Sequence, residues 1–304
     1  MFDAFQQTLA GKLKLSGIGL HSGSLVELEI RPAPANTGIV FERSDLQRAH
    51  SIDAIAENVI DTKLSTSIGR ARVSVSTVEH LMAALAGLGV DNAVVSVGGP
   101  EVPIMDGSSK VFVESLLRVG LVRQNARRHV RYVKSEFEFR EGEKFIRVEP
   151  SRNFRVTCSI DFSDSIIGYQ QITWEYSLGS FLELAEARTF CHERDVEIMK
   201  RHGLAKGGSL LNAVVVSDRG VLNAEGLRSA NEFVQHKLLD FIGDLSLAGL
   251  PLIGSYTIHK SGHDINYKFL SSLLEQSDRL LASKYTSQQD KEAANVVIPA
   301  LVYA

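Results

Sequence analysis

The sequence predicts an α+β fold of two similar domains, and three observations carry that expectation. Short segments with apolar residues at every second position occur in the first half, as half-buried strands require, and strand-like segments restart in the second. Each half gives strands, a helix, a strand and a helix, which points to similar architecture in both and is compatible with a distant duplication, although no residue-level repeat is visible. Between the halves, the polar and basic stretch RQNARRHVRYVK (Arg123–Lys134) interrupts the hydrophobic rhythm. That places a boundary near Asn125, with domains at 1–125 and 126–304. A chain of 304 residues is long enough for two domains of average size.

In the first half, LVELEIRPA (Leu25–Ala33) alternates apolar and polar residues as a half-buried strand, and NAVVSVGG (Asn92–Gly99) is a strand richer in β-branched residues. STVEHLMAALAGLG (Ser76–Gly89) is a helix stopped by Gly87 and Gly89, and SSKVFVESLLRVGL (Ser108–Leu121) is an amphipathic helix. In the second half, FEFREGEKFIRVEP reads as a hairpin around Glu141-Gly142 and FRVTCSIDF as a strand. Helices follow around GSFLELAEAR, RDVEIMKRHG and NEFVQHKLLDFIGD. GSYTIHKSGHDIN is a strand running into a loop, and YKFLSSLLEQSDRL is a late helix.

Composition narrows the function. The chain is 44% hydrophobic with a net charge of −3, so a basic nucleic-acid footprint is not expected. No run reaches the ~18–20 apolar residues of a membrane span, and the N-terminus lacks the pattern of a signal peptide. Two cysteines, Cys158 and Cys191, form no disulfide framework. The expected location is the cytoplasm.

The segment NEFVQHKLLDFIGD (Asn231–Asp244) spaces His236, Asp240 and Asp244 at i, i+4 and i+8, close to one face of a helix. At 100° per residue, Val234, Leu238, Phe241 and Leu245 lie opposite the histidine. Phe233, Leu239 and Leu247 crowd its own side, with Gly243 beside it. A surface helix would show one clean polar face. This helix is apolar on two sides, so it is expected to be sandwiched, with its carboxylates buried and in need of a partner. Two readings stay open. One is a His–Asp ion pair worth a few tenths of a kcal/mol. The other is a metal site, since imidazole plus carboxylate suits zinc, and a catalytic zinc needs a third ligand from elsewhere.

Among the nine histidines, His50, His129 and His202 sit in polar contexts and His192 in a charged stretch. His80 differs, lying in a helix otherwise poor in polar residues and rich in Ala and Gly, which would let a second helix approach closely. Glu79 precedes it. Ser76-Thr77-Val78-Glu79 matches a capping box, the bland role for Glu79; the alternative is a base beside a metal ligand. In KSGHDIN, His263 is expected on a functional loop at a strand end, where Asp244 could hold it protonated and oriented.

These segments, STVEHLMAALAGLGVDN, HKLLDFIGD and KSGHDIN, together with GIGLHSG (Gly17–Gly23), RPAPANTG (Arg31–Gly38), EVPIMDGS (Glu101–Ser108) and ARTF (Ala187–Phe190), closely resemble the zinc-dependent UDP-3-O-acyl-N-acetylglucosamine deacetylases of lipid A biosynthesis (LpxC). The resemblance covers nearly the whole chain in order. It implies two β-α-α-β sandwich domains whose helix layers pack face to face around the site, each with an insertion. It implies zinc ligands at His80, His236 and Asp240, with ferrous iron an alternative in the cell. The implied base is Glu79, the protonated histidine His263 and its carboxylate partner Asp244, with Thr189 on the oxyanion side. Lys237, on the exposed flank of its helix, is implied near the substrate diphosphate and Phe162 near the uracil. The second insertion, about 190–215, is implied to form a hydrophobic passage for the acyl chain. Leu211 stands there where an acidic residue is expected, and Ser65 stands where some members carry cysteine. The implied activity is removal of the N-acetyl group from an acylated nucleotide sugar, by a monomer.

Two alternatives belong beside this. One is a non-catalytic nucleotide-sugar or acyl-chain binder with a structural zinc, in which a fourth side chain would close the metal. His21 is the nearest candidate for that, though it reads better as a turn residue. The other is a zinc amidase with a different substrate.

Overall fold

The computed structural model describes residues 3–47, 50–162 and 166–284, so the last stretch of the expected second domain, 285–304, lies outside the described residues. Two five-stranded sheets organise the molecule. The first has the spatial order Leu13–Ile18, Leu25–Pro32, Ala93–Val97, Ile39–Arg43 and Ser51–Asp53. The second has the order Phe137–Glu141, Lys144–Glu149, Ser255–His259, Arg155–Phe162 and Gly168–Glu175. Numbered by chain position within each half, both read first, second, fifth, third, fourth. Both are antiparallel except for the pairing of the fifth strand with the third. The likeness between halves therefore lies in topology, which survives when residue-level similarity does not.

Helices α1 (Glu79–Gly87), α2 (Lys110–Val119), α3 (Leu178–Leu184), α4 (Glu193–Arg201), α5 (Glu232–Ser246) and α6 (His263–Glu275) complete the described elements. In each half the fifth strand is preceded by a central helix, α1 or α5, and followed by a second, α2 or α6. Strand alternation turns Val26, Leu28 and Ile30 of one sheet and Val156, Cys158 and Ile160 of the other inward. One apolar core runs from sheet to sheet through the helices, with α1 packed on α5. Gly243 permits that packing: a Cβ there would overlap the carbonyl oxygen of Glu79, so the two backbones meet at the residue that opens α1. Gly87 does the same under the ring of Phe181.

Three-stranded sheets sit between the fourth strand and the central helix of each half. The first, Val59–Asp61, Ser67–Arg70 and Val73–Val75, is antiparallel. The second runs Phe190–His192, α4, then Val214–Ser217 in parallel, with Gly220–Val221 added.

The stretch Arg123–Lys134 is built into sheets. It contributes parts of two strands, Leu121–Arg127 paired with Phe5–Leu9, and His129–Val133 between Leu252–Ile253 and Leu280–Lys284. The Arg123 guanidinium lies 3.4 Å over the Phe5 ring. Among the described residues, no sheet mixes strands from before Arg128 with strands from after it. None of the described helices is long and apolar enough to cross a membrane.

Candidate metal centre

Helix α5 is buried on two sides, as its apolar pattern requires. His236, Asp240 and Asp244 are 1–3% exposed, and Gln235, Lys237 and Ser246 alone along it reach half-burial. Across from it, α1 brings in Glu79 (3% exposed) and His80 (5%). The Nε2 atoms of His80 and His236 lie 3.4 and 3.2 Å from Asp240 Oδ1, with the two rings 5.0 Å apart and nearly perpendicular. Among the described residues this is the one group of three histidine, cysteine or carboxylate side chains whose ligand atoms all lie within 4.8 Å of one another. Among the described residues no fourth side chain of those types joins it. His21 lies apart; its backbone amide donates to Glu101 Oε1 and its ring borders a neighbouring cavity.

The donor set fits a divalent cation. Asp240 Oδ1 is buried and receives no hydrogen bond, while Oδ2 accepts from Lys237 Nζ at 2.9 Å. A buried carboxylate oxygen facing two imidazole nitrogens is costly unless a cation sits between them. His236 Nδ1 lies 3.0 Å from the Ala187 carbonyl, which can only accept; Nδ1 therefore carries the proton and Nε2 offers its lone pair. Burial pushes the His236 imidazole down to about 3, keeping it neutral. Burial would raise the Asp240 carboxyl, but its charged surroundings, the Lys237 ammonium among them, outweigh it and hold the group well below the usual carboxylate range. Lys237 is not on an exposed flank. Its ammonium is half-buried against Asp240, because the lysine three residues before a buried carboxylate meets it on the helix.

No capping box forms at α1. The helix begins at Glu79 behind Val78, with no side-chain cap, and Thr77 has φ +57°. The Glu79 carboxylate instead turns away from its own N-terminus, and Oε2 accepts the Thr66 amide at 3.0 Å. Oε1 lies 3.9 Å from His263 Nε2. Burial raises the Glu79 pKa, against the pull of His263 and His80.

His263 is not on a loop. It is the first residue of α6, entered through extended Gly262, so helix geometry fixes the ring. Its Nδ1 donates to Asp244 Oδ2 at 2.9 Å. Burial opposes its charge, yet Asp244 and Glu79 prevail and the imidazole is pushed up to about 9. Asp244 also accepts from Asn266 Nδ2 at 2.8 Å and from the Thr66 hydroxyl at 2.5 Å. Thr66 thus ties Glu79 and Asp244 together, a role that no pattern in the sequence signals. Asn266 could have been found, since it stands three residues after His263 and shares a face with it.

Glu79, His80, His236, Asp240 and His263 line a cavity of about 310 Å³ that also takes in Thr189. The backbone of Thr189 is held on both sides, its amide by Gly107 and its carbonyl by the Val214 amide. The cavity shares Leu20, Leu64, Thr189, Phe190 and Lys237 with a larger one of about 880 Å³, walled by α4 and the strand Val214–Ser217. Phe162 borders the larger cavity, its ring 5.7 Å from that of Phe190 and 5.8 Å from that of His192. A third cavity, about 500 Å³, opens beyond Leu85 and Leu245, away from the polar cluster. Its lip is bonded within itself, Arg128 to Asp91 at 2.7 Å and Gln6 to Asn36 at 2.8 Å.

Comparison with known proteins agrees with this arrangement. Residues 6–275 match the family LpxC: UDP-3-O-acyl N-acetylglycosamine deacetylase. A protein of Geobacter sp. (strain M21) named UDP-3-O-acyl-N-acetylglucosamine deacetylase is 49% identical over 298 residues, 98% of each chain. Proteins of the same name from Acidithiobacillus ferrooxidans (49% over 276 residues, 90% of this chain and 91% of that one) and Myxococcus xanthus (47% over 270 residues, 88% and 86%) are similar to it as well. With nearly the whole length matched in sequence, and a buried His80–His236–Asp240 cluster where the two halves meet, the chain belongs to the UDP-3-O-acyl N-acetylglycosamine deacetylase family.

Proposed function

We propose that the protein hydrolyses the N-acetyl group of UDP-3-O-(3-hydroxyacyl)-N-acetylglucosamine, the committed step of lipid A biosynthesis, using zinc held by His80, His236 and Asp240. The observation that carries this reading is the three-ligand cluster with Glu79 and the His263–Asp244 pair beside it and no fourth ligand closing it. A closed, structural site would have four protein ligands.

A divalent ion held by His80, His236 and Asp240 would polarise a carbonyl and lower the pKa of water toward ~7. Glu79, with Oε2 fixed by Thr66, takes the proton of the attacking water at Oε1. The water oxygen bonds to the acetyl carbon, the C–N bond breaks, and the amine leaves with a proton from His263 Nε2 or from Glu79. His263 is suited to donate, being cationic at neutral pH and oriented by Asp244. The Thr189 hydroxyl donates to the oxyanion as it forms. Lys237 and Phe162 are assigned to the diphosphate and uracil, and the 880 Å³ cavity to the acyl chain. The same reading has two domains, 1–125 and 126–304, in a cytoplasmic monomer.

Metal analysis of the purified protein, combined with acetate release from the acylated nucleotide sugar, UDP-N-acetylglucosamine and free N-acetylglucosamine, tests the proposal. One equivalent of zinc and turnover of the acylated substrate far above the other two are expected. Equal rates on all three would point to a general amidase, and zinc without acetate release to a binding protein.

A further inference from the structure

The peptide group joining Ala187 to Arg188 is bonded at both ends. Its carbonyl accepts from His236 Nδ1 at 3.0 Å, and its N–H donates to Glu232 Oε1 at 3.1 Å. Glu232 is the first residue of α5 and lies one turn before His236 on the same helix. Both side chains are essentially sealed from solvent, at 0 and 1% exposure. We propose that Glu232 acts through this peptide as a positioning residue for His236, a carboxylate–peptide–imidazole relay that fixes the ring tautomer and makes Nε2 a stronger donor to the metal. Carboxylates that bond a ligating histidine directly do this, and chained hydrogen bonds polarise one another.

Arg188 clamps the relay. Its guanidinium, 2% exposed, donates to Glu232 Oε1 at 2.8 Å and Oε2 at 3.2 Å, to the Gly226 carbonyl at 2.7 Å and to Glu225 Oε1 at 2.6 Å. Glu232 Oε2 accepts the Arg228 amide as well, at 2.6 Å. The carboxylate is thereby locked against two other chain segments, at Arg188 and at Arg228. The amides that Glu232 accepts, those of Arg188 and Arg228, lie outside α5, so these bonds do not cap its own helix. What the assembly holds is the segment from Ala187 to Thr189, whose first carbonyl orients a metal ligand and whose last side chain borders the cavity.

This rests on the metal reading above, and the test separates the two. Zinc affinity, by competition with a chromophoric chelator, and the visible spectrum of the cobalt-loaded protein are measured for wild type, Glu232→Gln and the double variant Arg188→Met/Glu232→Leu. Failure of wild type to bind either metal would end the metal reading itself. With wild type binding, both variants are expected to hold zinc about 10–100-fold more weakly and to show a shifted cobalt spectrum. The double variant matters because Glu232→Gln strands a buried arginine, whereas removing both partners does not. Wild-type affinity in the double variant overturns the relay and leaves Glu232 a purely structural role. Should neither variant fold, ¹⁵N NMR of the zinc-loaded wild type decides: a protonated Nδ1 on His236 with a slowly exchanging Arg188 amide supports the relay, and a protonated Nε2 or a freely exchanging amide overturns it.

Discussion

The two halves share a strand order and yet do unequal work. In the first, the central helix α1 has nine residues and offers its opening pair, Glu79 and His80, to the site. In the second, α5 has fifteen and offers a stripe, His236, Asp240 and Asp244, along its length. The small sheets differ likewise. The first is an antiparallel meander that supplies a clamp, Thr66, while the second is a parallel crossover through α4 that builds the wall of a large cavity. A repeated architecture thus yields an asymmetric site. On the proposed reading, the base and one ligand come from one copy, and two ligands and the cationic histidine from the other.

That division can be broken by removing either share of the metal. His80→Ala and Asp240→Asn are each expected to leave dialysed protein without stoichiometric zinc and without turnover, as read by elemental analysis and acetate release. Retention of tight zinc by His80→Ala would mean that the second half holds the ion unaided. Next in size, Glu79→Gln should cut turnover by about 10²–10⁴-fold while zinc stays bound. Activity near wild type in that variant would move the base out of the first half.

The seam between the halves gives a smaller effect. Gly243→Ala drives a methyl into the Glu79 carbonyl and should cost about 1–3 kcal/mol of stability, seen as a lower Tm in thermal or denaturant unfolding. An unchanged Tm would show that the helices can part there freely. A further effect is one of pH, centred on His263 of the second half. His263 has its folded pKa raised to about 9 from an ordinary 6.5. Its stabilising share in metal-free protein is therefore fully present below pH ~6.5 and lost as pH rises through about 9, with a slope of no more than ~1.4 kcal/mol per pH unit. His263→Ala should flatten the stability profile across that window, and an equal slope in the variant would assign it to another group.

Much of this was legible in residues. The alternation of Leu25–Ala33 and the two-sided apolar pattern around His236 follow from burial, and burial is what sequence patterns report. The ligand trio came from the family resemblance; the residues alone offered a stripe that needed a partner and a histidine in an apolar helix. What stayed hidden was set by backbone contacts. Thr66 acts partly through its amide, Ala187 through a carbonyl, and neither depends on a recognisable side chain. Ser261-Gly262 looked like loop because glycine at a helix start gives no capping side chain to read. The capping box at Ser76 failed because the chain enters α1 through Val78 with Thr77 at φ +57°, and the Glu79 carboxylate is taken by the Thr66 amide.

No hydrogen-bonded sheet spans the two halves among the described residues, and the ligand cluster lies across their common boundary. An ion bound there would act as a rivet as well as a reagent. Chelation would then disarm the chemistry and loosen the joint in one stroke, so the protein's cohesion becomes a gauge of its competence.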